Sequence, residues 1–339
     1  MNRITDKTAN PNRWKISASE LPTNTVFPML DVLKFLFAYF VVVIHINTLM
    51  PVDNQYHFFV DDLLAQGLAR IAVPFYFTAA GFLLYRKVDL NAYSPDRSIK
   101  YIKALMCRYG LWMIPLYYFY TVQFWFLIAL AFAIILIDMM LHFRFSYKAI
   151  LIISSFLFVL GLLGNTYRPL IASLEKVPII SLYYNRFQTT RNGLFFAPLF
   201  LTIGVGFAKK RIVMKKGIAI LGFVVSVCCL LLESILVDKN LVTEDHDIYL
   251  MLPLVIFFLM YLALHVQIKE KPIYPRLRYI GEYIFFLHLA IVDIILAIFP
   301  TISPIFCYLL VFVIATALAV CFTLLSEKGK WKYLRLLVS

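Results

Sequence analysis

The chain has 339 residues, of which 62% are hydrophobic and only 15% are charged. A soluble domain cannot hide that much apolar surface, so the composition excludes a soluble globular protein and indicates an integral membrane protein. The net charge of +13 does not indicate binding to nucleic acid, because the basic residues lie in short clusters between apolar runs.

The apolar runs divide the chain into two tails and one membrane region. Residues 1–29 contain basic residues and prolines but no apolar core, so we expect a cytoplasmic tail without a cleavable signal peptide. Residues 326–339 are expected to form a second cytoplasmic tail. Residues 30–325 are predicted to form an all-α bundle of about ten transmembrane helices, at about 30–50, 64–85, 104–122, 124–141, 148–164, 192–208, 217–237, 248–267, 279–299 and 302–325.

The basic residues are distributed unevenly between the two sides of this topology. With the N-terminus in the cytoplasm, 25 of the 32 Lys and Arg residues fall on the cytoplasmic side and five on the opposite side, with Lys34 and Arg70 inside spans. The positive-inside rule therefore places both termini in the cytoplasm. The five cysteines lie in or beside predicted spans, so neither a disulfide framework nor a metal site is expected.

The first span carries two ionisable residues, Lys34 and His45, in an apolar run. They are eleven residues apart, which on an α-helix is a rotation to within roughly 20° of the same face and a rise of about 16 Å. A lysine near a helix end can extend to the interface at little cost, whereas a histidine deeper in the membrane needs a partner or a role. His45 is therefore the first candidate for chemistry.

Other ionisable residues in predicted spans have both functional and structural interpretations. Arg70 can bind an anionic or carbonyl oxygen, or it can pair with Asp61 or Asp62. Asp138 is expected to pair with Arg144 or Lys148, and Glu233 to reach the interface. In the ninth span, His288 can line a cavity or make an interhelical hydrogen bond, and its spacing from Glu282 or Asp293 makes no obvious dyad.

The segments on the side opposite the basic clusters differ in composition. Acidic loops follow the first and seventh spans, the second of them ending at Asp247, and both are expected to be solvated. The longest loop, 165–191, combines aromatic residues with hydrogen-bond donors. That mixture is suited equally to binding a sugar or carboxylate and to resting at lipid headgroups.

Several motifs resemble the membrane-bound acyltransferase 3 family. Lys34 and His45 match the basic-x10-His signature of that family's first helix, and residues 70–84, which include Val-Pro-Phe-Tyr-Phe and Gly-Phe-Leu-Leu, resemble its second. The runs at 124–127, 191–196 and 279–288 are similar to a subgroup that includes the membrane half of vancomycin-resistance serine racemases. Two positions depart from the family pattern: Ala80 stands where serine is usual, and Leu105 interrupts the Arg-x-x-Arg signature that ends at Arg108.

The resemblance implies an O-acyltransferase in a bacterial plasma membrane. It would move an acyl group, expected to be acetyl, from acyl-coenzyme A to a hydroxyl of an envelope glycan or lipid-linked sugar. His45 would be the general base, because acyl transfer to a hydroxyl needs a proton acceptor, and Lys34 would orient His45 or the donor. Candidate substrate contacts are Arg70, Arg191, Asn192 and His288, and candidate contacts to the coenzyme A phosphates are Lys103 and Arg108.

A second interpretation is a transporter or sensing module in which the intramembrane polar residues line a path for a small molecule. Transporters often contain inverted repeats and helix pairs broken by Gly or Pro in corresponding positions. The sequence displays no such repeat, and its 12 glycines make discontinuous helices a weaker explanation. The acyltransferase interpretation is therefore the leading prediction.

Overall fold

The computed structural model describes residues 18–22, 25–47, 58–90, 93–116, 124–174, 176–186, 189–240, 247–266 and 268–338, and the elements within them are helical. These ranges contain eleven α-helices. They are α1 (Pro28–Asn47), α2 (Ala72–Tyr85), α3 (Asp96–Leu116), α4 (Trp125–His142), α5 (Tyr147–Leu163), α6 (Pro178–Arg186), α7 (Ala197–Lys209), α8 (Lys216–Asn240), α9 (Leu252–His265), α10 (Ile273–Ile298) and α11 (Pro304–Ser326).

Helix length and composition identify a multi-pass membrane protein. Within the described ranges, six segments are long and apolar enough to cross a bilayer: Pro28–Ile46, Leu63–Tyr85, Trp125–His142, Lys216–Asp238, Ile273–Ile298 and Pro304–Ser326. The second of these joins a π-helical turn, Phe58–Ala65, and a short 3-10 helix, Leu68–Ile71, to α2. The apolar helices α5, α7 and α9 are shorter. The all-helical fold is thus confirmed, while the number of ten spans and the cytoplasmic position of the termini stay predictions.

Burial separates central helices from peripheral ones. The apolar windows of Leu63–Tyr85 and α10 are 67% and 61% buried inside the protein, whereas those of α8 and α11 are only 22% buried. The exposed faces of α8 and α11 carry Leu, Ile, Val and Phe side chains. Because such faces are stable only against lipid, α8 and α11 lie at the periphery and α2 and α10 lie near the centre.

Two close helix pairs organise the centre, α1 with α10 and α2 with α7. In the second pair a Cβ atom added to Gly204 would lie 2.2 Å from the carbonyl oxygen of Thr78 and 2.7 Å from the amide nitrogen of Phe82. Only a residue without a side chain permits this approach. Small residues at such contacts are a usual means of helix association in membranes, where burial of apolar surface supplies little driving force.

Basic and polar contacts gather at the end of the bundle where α1 begins, called here the Lys34 end. Arg86 donates to the carbonyl oxygens of Thr25, Leu21 and Pro22, and so fastens the segment before α1. The 3-10 helix Gly329–Leu337 docks at the same end through hydrogen bonds from Trp112 and Tyr283 to its carbonyl oxygens. The predicted C-terminal tail is therefore packed against the bundle.

The observed helices differ from the predicted spans in several places; α7 begins at Ala197 and not at 192, and α10 begins at Ile273 and not at 279. The third predicted span begins at 104, but α3 begins at Asp96, because its first turns are amphipathic and follow a polar turn where Ser94 hydrogen-bonds Asp96. The predicted loop 165–191 contains a 3-10 helix, Arg168–Leu174, and α6. The predicted hairpin at Thr121 to Gln123 lies outside the described residues.

Two polar residues have different surroundings from those expected. Asp138 does not pair with Arg144 or Lys148; it is buried and accepts a hydrogen bond of 2.6 Å from the Tyr85 hydroxyl, because α2 packs beside α4 there. Glu233 does not extend to the interface. It accepts hydrogen bonds from the Tyr167 hydroxyl and from the amides of Leu250 and Met251, and so supplies acceptors just before the start of α9.

The α2–α7 contact yields a stability prediction. Gly204→Ala forces backbone atoms apart, so we expect the free energy of unfolding to fall by about 1–3 kcal/mol. Gly110→Ala in α3 is the matched control, because a Cβ atom at Gly110 has no neighbour within 4 Å. It should leave stability unchanged or raise it by up to about 1 kcal/mol, since Ala favours helix more than Gly. Thermal unfolding of the two variants in one detergent, followed by intrinsic fluorescence, measures the difference; equal midpoints would contradict the contact.

Candidate functional site

A cavity of about 540 Å³ opens at the Lys34 end of the bundle between α1, α2, α3, α4 and α10. Six basic side chains line it against a single carboxylate, that of Glu282. Their distribution is graded: Lys87, Arg97 and Lys100 are exposed at the rim, while Lys34 lies deeper, beside apolar residues of α4 and α10. Such a cavity is suited to a molecule with a multiply charged anionic part and an apolar arm.

Helix α3 presents one face to this cavity and so separates two predicted contacts. Arg97, Lys100 and Arg108 line the cavity at helical spacing, whereas Lys103 is exposed and does not. Lys103 is five residues before Arg108, which on an α-helix is about 140° away around the axis. The structure therefore brings Arg108 to the site and leaves Lys103 exposed outside the cavity lining.

An aromatic layer closes the inner end of the cavity. Tyr76, Phe126 and Phe285 pack edge to face, with ring centroids 5.9 Å apart for Tyr76 and Phe126, 6.3 Å for Tyr76 and Phe285, and 5.9 Å for Phe126 and Phe285. The Tyr76 hydroxyl donates a hydrogen bond of 2.7 Å to the carbonyl oxygen of Lys34, which fixes the layer to α1. Phe126 and Phe285 also line a second, smaller space beyond the layer.

That second space is a chamber of about 30 Å³ that contains two histidines, His45 and His288. Their ring centroids are 5.3 Å apart. The Nδ1 atom of His288 is 2.8 Å from the carbonyl oxygen of Phe285 and 3.2 Å from that of Ile284, so the ring is held against its own helix. Trp125 forms another wall. The volume suits one hydroxyl-sized or water-sized group between the imidazoles.

A buried ion cluster lies beyond the chamber. Asp247 accepts hydrogen bonds from both Arg70 and Arg191, the latter over 2.6 Å, and the Arg191 guanidinium lies 4.9 Å from the ring centroid of Trp125. Burial raises the pKa of the Asp247 carboxyl, but the two guanidinium groups outweigh burial and hold that pKa below its usual range. Two arginines sharing one carboxylate leave one positive charge beside the chamber.

The cluster bears on two expectations. Arg70 is ion-paired to Asp247, while the side chains of its two predicted partners, Asp61 and Asp62, lie outside the described part of the chain. Asp247 was expected to be solvated, yet its side chain is only 8% exposed because Asn165 holds its backbone amide against the bundle. No local signal in the sequence joins Asp247 to either arginine.

Asn192, predicted as a substrate contact, makes local hydrogen bonds instead. Its side-chain oxygen accepts from the amides of Leu194 and Phe195, and its side-chain nitrogen donates to the carbonyl oxygen of Thr189. This arrangement shapes the turn that leads into α7 and places the neighbouring Arg191 beside Trp125. Asn192 therefore positions the turn from which Arg191 reaches the ion cluster.

Sequence reasoning missed several residues of the site. Arg97, Arg278 and Tyr76 line the cavity, and Trp125 connects the chamber to Arg191. Helical spacing from Arg108 contained the signal for Arg97. The remaining residues come from helices distant in sequence, so only packing reveals them.

Comparisons with known proteins identify relatives that match part of this chain. The chain is 29% identical over 231 residues to a serine/alanine racemase of Enterococcus gallinarum, which is 60% of this chain and 33% of that protein. It is 26% and 25% identical to two amino-acid racemases of Enterococcus faecalis, over 73% and 71% of this chain and 37% and 38% of theirs. This chain resembles part of these racemases. It spans about a third of the length of the relatives it matches.

No family model and no solved structure matches the chain. The matches to the racemases confirm the predicted resemblance to serine racemases as a distant sequence similarity. Membership of the acyltransferase 3 family stays a prediction.

The ion cluster yields a prediction about stability and pH. Asp247→Asn leaves the largely buried Arg70 guanidinium and the partly exposed Arg191 guanidinium without their carboxylate, so we expect a loss of about 3 kcal/mol at neutral pH. Because the folded pKa of Asp247 lies below the unfolded value of about 3.9, its contribution is complete above that pH and is lost as the pH falls through the folded pKa.

Thermal midpoints measured from pH 7 downwards test this expectation, with Asp238→Asn as the control because Asp238 is exposed on α8. The wild-type advantage over Asp247→Asn should be constant near neutrality and shrink only below about pH 4. An advantage that shrinks at a higher pH would contradict the lowered pKa.

Proposed function

We propose that this protein is a membrane O-acyltransferase that moves an acyl group from acyl-coenzyme A to a hydroxyl. The observation that carries the proposal is the arrangement of the two spaces: a basic cavity and a two-histidine chamber share Phe126 and Phe285 as a common wall. One space is suited to an anionic donor and the other to proton transfer. The acyl group has one aromatic layer to cross.

The donor is proposed to bind in the cavity with its phosphates at the rim. Coenzyme A carries several phosphate charges at one end and a long uncharged arm that ends in the thioester. Arg97, Lys100 and Arg108 can bind the phosphates, and the apolar inner wall can hold the arm. By the positive-inside rule this end of the bundle faces the cytoplasm, where acyl-coenzyme A is made.

Transfer is proposed to occur at the aromatic layer. The acceptor oxygen bonds to the thioester carbonyl carbon while its proton passes to the His45 imidazole; the C–S bond then breaks and the coenzyme A thiolate takes that proton. This step needs no reactant other than the acceptor and the acyl-coenzyme A. Lys34 lines the donor cavity, where its ammonium group can hold the donor.

The acceptor is proposed to approach from the side of the Arg70, Asp247 and Arg191 cluster. Arg191 is one-third exposed and lies against the chamber wall, so its remaining donors can bind an anionic group of the acceptor. A lipid-linked sugar carries such a group in its phosphate linkage, and an envelope glycan can carry carboxylates or phosphates.

Both departures from the family signature fall on the cavity wall, where Ala80 and Leu105 each line it. Leu105 removes one expected positive charge, but Arg97 and Lys100 on the same face of α3 keep the cavity basic. The donor assignment is therefore consistent with the altered motif.

The first functional prediction concerns the base. Purified protein in liposomes should move label from acetyl-coenzyme A to envelope extract, and His45→Ala should reduce the rate about a hundredfold or more while the protein stays folded. Transfer that survives this substitution would remove His45 from the mechanism. Wild-type protein that neither binds nor consumes the donor would contradict acyl transfer.

A second functional prediction concerns the phosphates. Lys100→Gln and Arg108→Gln should each raise the KM for acetyl-coenzyme A about tenfold, because a charge-assisted hydrogen bond is lost. Lys103→Gln is the matched control, because Lys103 is exposed on α3 outside the cavity lining, and it should change the KM little. With acetyl-pantetheine, which lacks the nucleotide phosphates, all three variants should behave like wild type. If Lys100→Gln and Arg108→Gln raised the KM equally for acetyl-coenzyme A and acetyl-pantetheine, these residues would not bind the nucleotide phosphates.

One observation favours a second candidate function, which is binding or transport of an amino acid. The matched relatives are named for racemases of serine, alanine or other amino acids, and this chain matches only about a third of each. The Arg191 cluster can equally bind an amino-acid carboxylate. Uptake of labelled serine and alanine by the same liposomes decides between the two, with Arg191→Gln as the test variant.

A further inference from the structure

The segment that follows α5 lies beside the buried ion cluster. The side chain of Asn165, just after the end of α5, accepts a hydrogen bond of 3.2 Å from the backbone amide of Asp247. The chain then forms the 3-10 helix Arg168–Leu174 and α6 before it reaches Arg191, which also binds Asp247. Both ends of this segment therefore adjoin the cluster at which we expect the acceptor to arrive.

One face of α6 packs against the bundle. The Tyr183 hydroxyl donates a hydrogen bond of 2.8 Å to the carbonyl oxygen of Leu160, near the end of α5. A Cβ atom added to Gly164 would overlap both the Tyr183 hydroxyl and the side chain of Thr190. Helix α6 is therefore fixed directly beside the turn that carries Arg191.

The other face of α6 is exposed and combines apolar and basic groups. Its exposed residues are Pro178, Leu182, Asn185 and Arg186. On an α-helix these positions lie within about 100° of arc, so they share one side of α6. Leu182 is 65% exposed, and Arg186 follows it by one helical turn, which brings a large apolar side chain next to a guanidinium group.

The position of this face relative to lipid follows from α5. The outward side of α5 exposes large apolar side chains that are stable only against lipid: Ile152, Phe156 and Val159. Because the segment begins where this lipid-facing helix ends, the exposed face of α6 lies at the boundary between hydrocarbon and headgroups. At that depth an apolar side chain enters the hydrocarbon and an arginine binds phosphate.

We propose that the exposed face of α6 is the docking surface for a lipid-linked acceptor, which enters from the membrane leaflet on the side opposite the Lys34 end. Leu182 contacts the hydrocarbon chain, and Arg186 binds the phosphate that joins the chain to the sugar. The sugar then extends over the turn at Thr190 towards Arg191 and the chamber. This inference rests on the function proposed above and narrows its acceptor to a molecule held in the membrane.

The pairing of Leu182 with Arg186 separates this acceptor from a water-soluble glycan. A soluble glycan gains nothing from an apolar side chain in the hydrocarbon, whereas a hydrocarbon chain linked to a phosphate uses both groups at once. The lipid also confines the acceptor to the plane of the membrane, where α6 and the Arg191 turn are adjacent. The chemistry of the face therefore fits a chain, a phosphate and a sugar in that order.

Two matched pairs of variants test the docking surface. Transfer of label from acetyl-coenzyme A is measured with a lipid extract of the envelope as acceptor. Arg186→Gln should raise the KM for this extract about tenfold and Leu182→Ser about threefold, with the KM for acetyl-coenzyme A unchanged. Lys176→Gln and Leu170→Ser are the controls, because both residues are exposed in the same segment but lie outside α6, and they should change the KM little.

Two outcomes of this experiment would overturn the proposal. Equal effects of the variants and their controls would mean that the whole segment attracts lipid and that α6 has no docking surface. The extract is also assayed after mild acid has cut the sugars from their phosphates. Released sugar that accepts label as fast as the intact extract would show that the lipid is not needed.

A second measurement does not depend on acyl transfer. A long-chain prenyl phosphate carries the hydrocarbon and the phosphate without the sugar, and it should raise the thermal midpoint of the wild type in micelles by a few degrees. The shift should disappear in Arg186→Gln and persist in Lys176→Gln. Inorganic phosphate and phosphatidylglycerol should each raise the midpoint less.

The midpoints distinguish the proposal from its rivals and from the proposed function. An equal shift with inorganic phosphate would indicate a site for free anions, and an equal shift with phosphatidylglycerol a site for any anionic lipid; either would overturn the docking surface. Wild-type protein that transfers no acyl group would contradict the proposed function instead. The shift with prenyl phosphate would still decide whether α6 binds a lipid-linked phosphate.

Discussion

The candidate site depends on the close contact between α1 and α10. A Cβ atom on Gly281 would lie 2.9 Å from the Cα atom of Phe35 and 3.3 Å from the carbonyl oxygen of Lys34, so only glycine lets the two helices approach so far. This approach places Lys34 of α1 beside the α10 wall of the cavity and His45 opposite His288. A wider separation would break the contact between the two histidines and open the layer between the cavity and the chamber.

Along the contact between α1 and α10, the bundle has three zones that differ in charge. The cavity at the Lys34 end is strongly basic, the aromatic layer carries no charge, and the cluster beyond the chamber pairs two arginines with Asp247. Charged groups are stable near the ends of a membrane bundle, where water is close, and costly at its centre. The imidazoles at the centre can stay neutral between reactions, which is why histidine rather than a carboxylate is suited to this position.

The same arrangement bears on the choice between acyl transfer and transport. A transported amino acid carries charge through the whole bilayer, so it needs polar groups at every depth, whereas an acyl group leaves its charged carrier in the cavity and crosses only the aromatic layer. Phe126 and Phe285 face both spaces and offer no polar atom from their rings. This physical difference favours acyl transfer, and the racemase names of the relatives are the reason to test amino acids alongside it.

The sequence by itself determined that the chain is a helical membrane protein. A backbone in lipid must satisfy its hydrogen bonds internally, as a helix does, and the long apolar runs of the sequence mark the segments that lie in lipid. It also determined that Lys34 and His45 share a face of α1, since helical periodicity is local. Tertiary structure alone decided that His45 meets His288 and that Asp247 joins Arg70 to Arg191. These contacts join segments far apart in the chain, and no local pattern encodes the packing that brings those segments together.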